Sequence, residues 1–160
     1  MENKLAEAKL LFSQNNYDEV IDICKLILCK KKDSIDALKL IYLSLFSLKN
    51  FYQARFFLNK CLEQEPDNCD FIKDLGKSYQ AEGDLDKACD YYQKALLIDD
   101  NYAPALTNLG ILSLLSRKKN ESLSFLQRAV RSDPLLYPAW LNLATVYSEI
   151  GNNSEAEKCL

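Results

Sequence analysis

Two short stretches of this chain place carboxamides where their chemistry could serve a ligand. PALTNLG, Pro104 to Gly110, and PAWLNLA, Pro138 to Ala144, set Asn108 and Asn142 at matching places inside otherwise apolar runs. A carboxamide both donates and accepts hydrogen bonds. Side chains of this kind can therefore pair with the N–H and C=O groups of an extended peptide without reading its sequence. The alternative is that they only hydrate an exposed helix face. Catalytic residues are not expected, because the chain has no histidine, which excludes Ser-His-Asp and Cys-His relays. The six cysteines, Cys24, Cys29, Cys61, Cys69, Cys89 and Cys159, form no C-x-x-C pair. Structural zinc needs clustered thiolate and imidazole ligands, so neither a metal nor any other cofactor is expected. Reduced cysteines serving as small apolar residues account for the pattern.

Other motifs carry less. LGKS, Leu75 to Ser78, has the tail of a phosphate loop, but the glycine needed five residues before Gly76 is replaced by Phe71. The stretch also reads as the inside of a helix, whereas a phosphate loop joins a strand to a helix. Lys30, Lys31 and Lys32 suit a helix C-terminus, where cations complement the dipole. They lack the interleaved aromatics of a nucleic-acid surface, and the net charge of −3 opposes one. No apolar run approaches the roughly 20 residues that span a bilayer, and MENKLAEAKLLF does not read as a signal peptide. The expectation is a cytoplasmic chain without membrane insertion or nucleic-acid binding.

The elements that would position the amides follow from a period. A repeat of about 34 residues runs from Met1 to Leu160 without insertion or deletion. Gly76, Gly110, Ala144 and Ala8 share one column, in which Tyr42 stands as the large exception. Ala54, Ala88 and Ala156 share another, with Val20 and Ser122. Apolar spacing within each unit fits two amphipathic helices, expected near 69–82 and 85–98, and again near 103–116 and 119–132. The small columns let the helices of a pair approach closely, Gly76 against Ala88 in the third unit. Pro104 and Pro138 fall in first turns, where a missing N–H costs nothing.

The pattern resembles the tetratricopeptide repeat, W-x2-L-G-x2-Y followed by A-x3-F, A and P across one such period. The resemblance is strongest in PAWLNLATVYSEIGNNSEAEKCL and IKDLGKSYQAEGDLDKACDYYQKALLID. It implies an all-α fold, a right-handed α-solenoid of antiparallel helix pairs. It also implies one domain over 1–160, with repeats 1–34, 35–68, 69–102, 103–136 and an incomplete 137–160. First helices of such repeats line a groove. By that register the peptide-binding groove comprises Asn108, Asn142, Asp74, Lys73, Lys77, Lys39 and Thr107. The two asparagines are similar to those lining the superhelices of O-linked N-acetylglucosamine transferases and peroxisomal import receptors. Lys73, Lys77 and Asn108 match three places of the clamp that holds chaperone C-terminal carboxylates. Pro138 and Asn142 stand where that clamp needs cations, and Asp70 and Asp74 stand beside the lysines, which disfavours the clamp.

Toward the N-terminus Leu5, Phe12, Leu40, Leu43 and Phe46 fall on the groove side, either as an apolar interface or as a tighter local core. The reading is a non-catalytic protein-interaction scaffold that binds a peptide or protein segment. The alternative is the N-terminal docking region of a larger enzyme such as a glycosyltransferase. GNNSEAEKCL stops inside a second helix. That leads to the expectation of a longer native chain, with self-association through the last repeat as the alternative.

Overall fold

The computed structural model describes residues 2–160, and every regular element among them is an α-helix. Five first helices, α1 (Glu2–Ser13), α3 (Ile35–Ser47), α5 (Cys69–Ala81), α7 (Ala103–Leu115) and α9 (Tyr137–Glu149), alternate with five second helices. These are α2 (Tyr17–Lys30), α4 (Phe51–Gln64), α6 (Leu85–Ile98), α8 (Lys119–Ser132) and α10 (Asn153–Lys158). From α2 onward, equivalent helices begin one full period apart, and the pairs expected from apolar spacing lie within a residue of their expected bounds. The fold is an all-α solenoid of helix pairs. No described helix is long and apolar enough to cross a membrane.

One turn recurs between the two helices of each repeat. Asn15, Lys49, Gly83, Arg117 and Gly151 all have positive φ, from 58° to 86°, and they occupy the same column of the repeat. The following N–H reaches back five residues each time: Asn16 to Leu11, Asn50 to Leu45, Asp84 to Tyr79, Lys118 to Ser113 and Asn152 to Tyr147, at 2.8–3.0 Å. This is the left-handed C-terminal cap that satisfies orphan carbonyls and turns the chain back. LGKS lies within α5, where the Ser78 hydroxyl donates to the Leu75 carbonyl at 2.6 Å.

Packing divides the chain into two compact units, residues 1–84 and 85–160. The core of the first is built on Val20, Cys24, Leu38, Ile41, Ala54, Leu58, Cys61 and Phe71, each at most 2 % exposed. The core of the second gathers Leu106, Leu126, Ala129, Val130, Ala139, Leu143 and Val146, with Trp140 and Tyr147 packed against it. The small columns mark the close contacts. A Cβ on Gly110 would stand 2.6 Å from Leu126 Cγ, and the buried Ser122 hydroxyl donates to the Gly110 carbonyl at 2.7 Å. The absent side chain is thus what lets α8 seat Leu126 on α7.

Candidate functional site

In the second unit, α7 and α9 present the repeated asparagines. Each helix carries proline in its first turn, and the register then sets Asn108 and Asn142 at equivalent, half-buried places. The Asn108 carboxamide has no hydrogen-bond partner among the described residues. Asn142 donates one N–H to the Pro138 carbonyl at 2.7 Å, which leaves its oxygen and second N–H uncommitted. Positions three and seven onward share a helical face, so Ile111 and Leu115 continue the line from Asn108. Leu115 is 63 % exposed. Exposed Thr145 continues the line from Asn142, and Leu141 stands beside it at 45 % exposure. The result is an amide-bearing surface with apolar flanks and no charge at its centre.

Thr107, assigned to the groove by register, is 5 % exposed, and its hydroxyl donates to the Ala103 carbonyl at 2.8 Å. One residue's step turns a helix by about 100°, enough to carry a side chain from the amide line into the core. Thr107 therefore braces α7 and offers a ligand little.

The first unit has different chemistry at the same register. Tyr42, in the column of small residues, is 5 % exposed, and its hydroxyl donates to Asp74 Oδ2 at 3.1 Å. Burial, and next the Asp74 charge, push the Tyr42 phenol far above its ordinary range. Lys73 Nζ lies 3.2 Å from both Asp70 Oδ1 and Asp74 Oδ1. The Lys39 ammonium stands 5.0 Å over the Phe71 ring, whose edge also meets Tyr42 at a centroid distance of 6.1 Å. Asp74, Lys73 and Lys39 are thus committed within the chain, while Lys77 remains an exposed cation.

The apolar residues of the same unit divide. Leu40 is buried, and Phe46 packs edge-on against Phe51 at 5.4 Å. Phe12 packs against Tyr17 at 5.5 Å, Leu5 is half-buried, and Leu43 is exposed. Phe46, half-buried, also meets Tyr42 edge-on at 6.3 Å. The Tyr42–Asp74 bond has no signature in the repeat register, although a large residue in a small column signals unusual packing.

All six cysteines are free. Burial raises the Cys24 thiol to about 11 and the Cys61 thiol to about 12, as expected of cysteines used for packing. No cluster of potential metal ligands occurs among the described residues.

Three family models, each described as tetratricopeptide repeat, match residues 43–68, 70–102 and 125–158. The chain belongs to the tetratricopeptide repeat family. A probable UDP-N-acetylglucosamine–peptide N-acetylglucosaminyltransferase SPINDLY of Hordeum vulgare is 29% identical over 164 residues, covering 97% of this chain and 17% of that protein. Cilia- and flagella-associated protein 70 of Homo sapiens is 30% identical over 105 residues, covering 66% of this chain and 9% of its own length. The chain spans a fifth or less of the curated relatives it matches. Among solved structures, a thermophilic tetratricopeptide protein of Thermus thermophilus superposes with a TM-score of 0.78 at 18% identity, covering 99% of this chain and 87% of that one. YrrB, described as a tetratricopeptide protein with an unusual peptide-binding site, gives 0.66 at 20% identity, covering 98% and 80%. The tetratricopeptide fold supports a protein-interaction scaffold.

Proposed function

We propose that this tetratricopeptide chain binds an extended segment of a partner protein across α7 and α9. Asn108 and Asn142 pair with the segment's backbone, and Leu115, Ile111 and Leu141 receive its apolar side chains. The observation that carries the reading is the uncommitted Asn108 carboxamide, repeated one period later by Asn142. Backbone pairing makes the surface tolerant of sequence, and the exposed leucines favour segments with regularly placed aliphatic residues. The reading assigns no catalysis, cofactor or nucleic acid to the chain, and places it in the cytoplasm.

The test is selection of unstructured peptides from a displayed library on the wild-type protein, followed by titration of a selected peptide into Asn108→Ala/Asn142→Ala. Each net hydrogen bond contributes about 0.5–1.5 kcal/mol, so affinity should fall about ten- to a hundredfold while the helical spectrum and melting temperature stay put. Equal affinity for the double variant would reject the amide surface as the site.

A second reading is supported by the match of 97% of this chain to 17% of the barley SPINDLY protein: this chain is the substrate-docking region of a larger glycosyltransferase. The full-length gene discriminates, since a long α/β catalytic domain joined to these repeats is required by the second reading alone.

A further inference from the structure

The first unit carries a cleft lined mainly by residues of its second helices. It has a volume of about 600 Å³ and is lined by Lys25 of α2, by Tyr52, Arg55, Phe56 and Phe57 of α4, and by Tyr79 of α5. Its source in the sequence is FYQARFF, Phe51 to Phe57, which packs four aromatic residues into one short run. An amphipathic helix would bury one face of such a run. Instead Tyr52 is 78 % and Phe56 57 % exposed, with Phe57 standing edge-on to Phe56 at 5.2 Å. Single exposed apolar residues are ordinary, but aromatic rings gathered around a concavity of this size have the form of a binding site.

The charges around the cleft select its occupant. Arg55 lies over the Tyr79 ring at 4.5 Å, and Lys60 lies over the Phe56 ring at 4.7 Å. One face of Tyr79 and one of Phe56 are thus occupied by the protein's own cations. The described residues that line the cleft include no carboxylate, although the whole chain is acidic, with a net charge of −3. Glu82, paired with Arg55 at 2.7 Å, offsets that cation, which leaves Lys25 on the lining and Lys60 just outside it, over the Phe56 ring. Positive potential beside exposed aromatics complements an acidic segment that bears a large apolar side chain.

We propose that this cleft docks an acidic peptide segment of a partner protein, with an aromatic or large aliphatic anchor seated between Tyr52, Phe56 and Phe57 and carboxylates facing Lys25 and Lys60. Exposed aromatic anchors of this kind concentrate binding energy, so Phe56 is the residue on which affinity turns. The cleft and the amide surface share no residue.

The test uses a short fluorescein-labelled synthetic peptide with one tryptophan among glutamates, and a second peptide with lysines in place of the glutamates, titrated by fluorescence anisotropy. The acidic peptide should bind, more weakly at high salt, and the basic peptide should not. Phe56→Ala and Lys25→Glu should each weaken binding about tenfold, with Tyr52→Ala as a second aromatic variant should Phe56→Ala lose its helical spectrum. Asn108→Ala/Asn142→Ala should bind the acidic peptide as the wild type does. Failure of the acidic peptide to bind, equal binding of the two peptides, or wild-type affinity in the folded aromatic variant would each overturn the proposal. Loss confined to the double asparagine variant would also overturn it, by placing the peptide on α7 and α9.

Discussion

Tyr42 occupies a place that Ala8, Gly76, Gly110 and Ala144 fill in the other repeats, and its phenol lies buried with the hydroxyl on Asp74. A buried hydroxyl without a partner costs free energy, and Asp74 supplies one. Removing the hydroxyl in Tyr42→Phe should destabilise the protein by about 1–2 kcal/mol, near the lower end for a bond to a charged group, because Asp74 keeps Lys73. The same residue contributes to alkaline unfolding. Tyr42, Cys24 and Cys61 all hold their protons to higher pH in the folded chain than their ordinary values of 10.0 for the phenol and 9.0 for the thiols. Unfolding in base therefore releases protons. The stability these groups contribute is complete below about pH 9 and is lost as pH rises through their folded values. Thermal melts under reducing conditions at neutral and at strongly alkaline pH should show that loss, with a smaller decrement above about pH 10 in Tyr42→Phe. A melting temperature indifferent to pH over that range would contradict the assignment.

The helices themselves were legible because the repeat constrains many positions at once: a misread residue in one unit is corrected by the others. The boundaries of α5 to α8 follow from that redundancy. Orientation about each helix axis was less legible, since adjacent residues differ by about 100°. Asn108 keeps surface, but Thr107 and Leu40 turn inward and Asp74 is drawn into a bond with Tyr42. No column average reports a contact between Tyr42 on one helix and Asp74 on another. The five left-handed turns were half legible: Gly83 and Gly151 announce themselves, whereas Lys49 and Arg117 adopt positive φ without a residue type that favours it. An L-residue in that conformation costs about 1–2 kcal/mol, while glycine adds unfolded-state entropy of about 0.5–1 kcal/mol. Arg117→Gly and Lys49→Gly should therefore each stabilise the chain modestly, by about 0.5–1 kcal/mol, and Gly83→Ala should destabilise it. Chemical denaturation of the three variants measures the signs, and a loss of stability in both glycine variants would show that the native side chains contribute more than the strain removes.

Within each unit of the molecule, helices pack on elements one or two places away in sequence, as α7 does on α8 and α9. Stability in such chains is close to a sum of repeat terms and nearest-neighbour terms, so damage should stay near where it is made. Gly110 offers the sharpest place to make it. Alanine there would gain about 0.5–1 kcal/mol of helix propensity, yet its Cβ would meet the fully buried Leu126 at 2.6 Å. Overpacking of a tight contact costs about 1–3 kcal/mol, and sterics win by up to about 2 kcal/mol, because a χ1 rotation that moved Leu126 Cγ away would drive this fully buried side chain into its packed neighbours. Amide hydrogen exchange on Gly110→Ala should show faster exchange along α7, α8 and α9 and unchanged protection in α1 to α4. Pairing it with Leu126→Ala should remove the clash, so that the double variant is more stable than the sum of the two single losses predicts. Equal loss of protection in α1 to α4 and α7 to α9 would instead mean that the two units unfold as one, and that nearest-neighbour terms do not describe this chain.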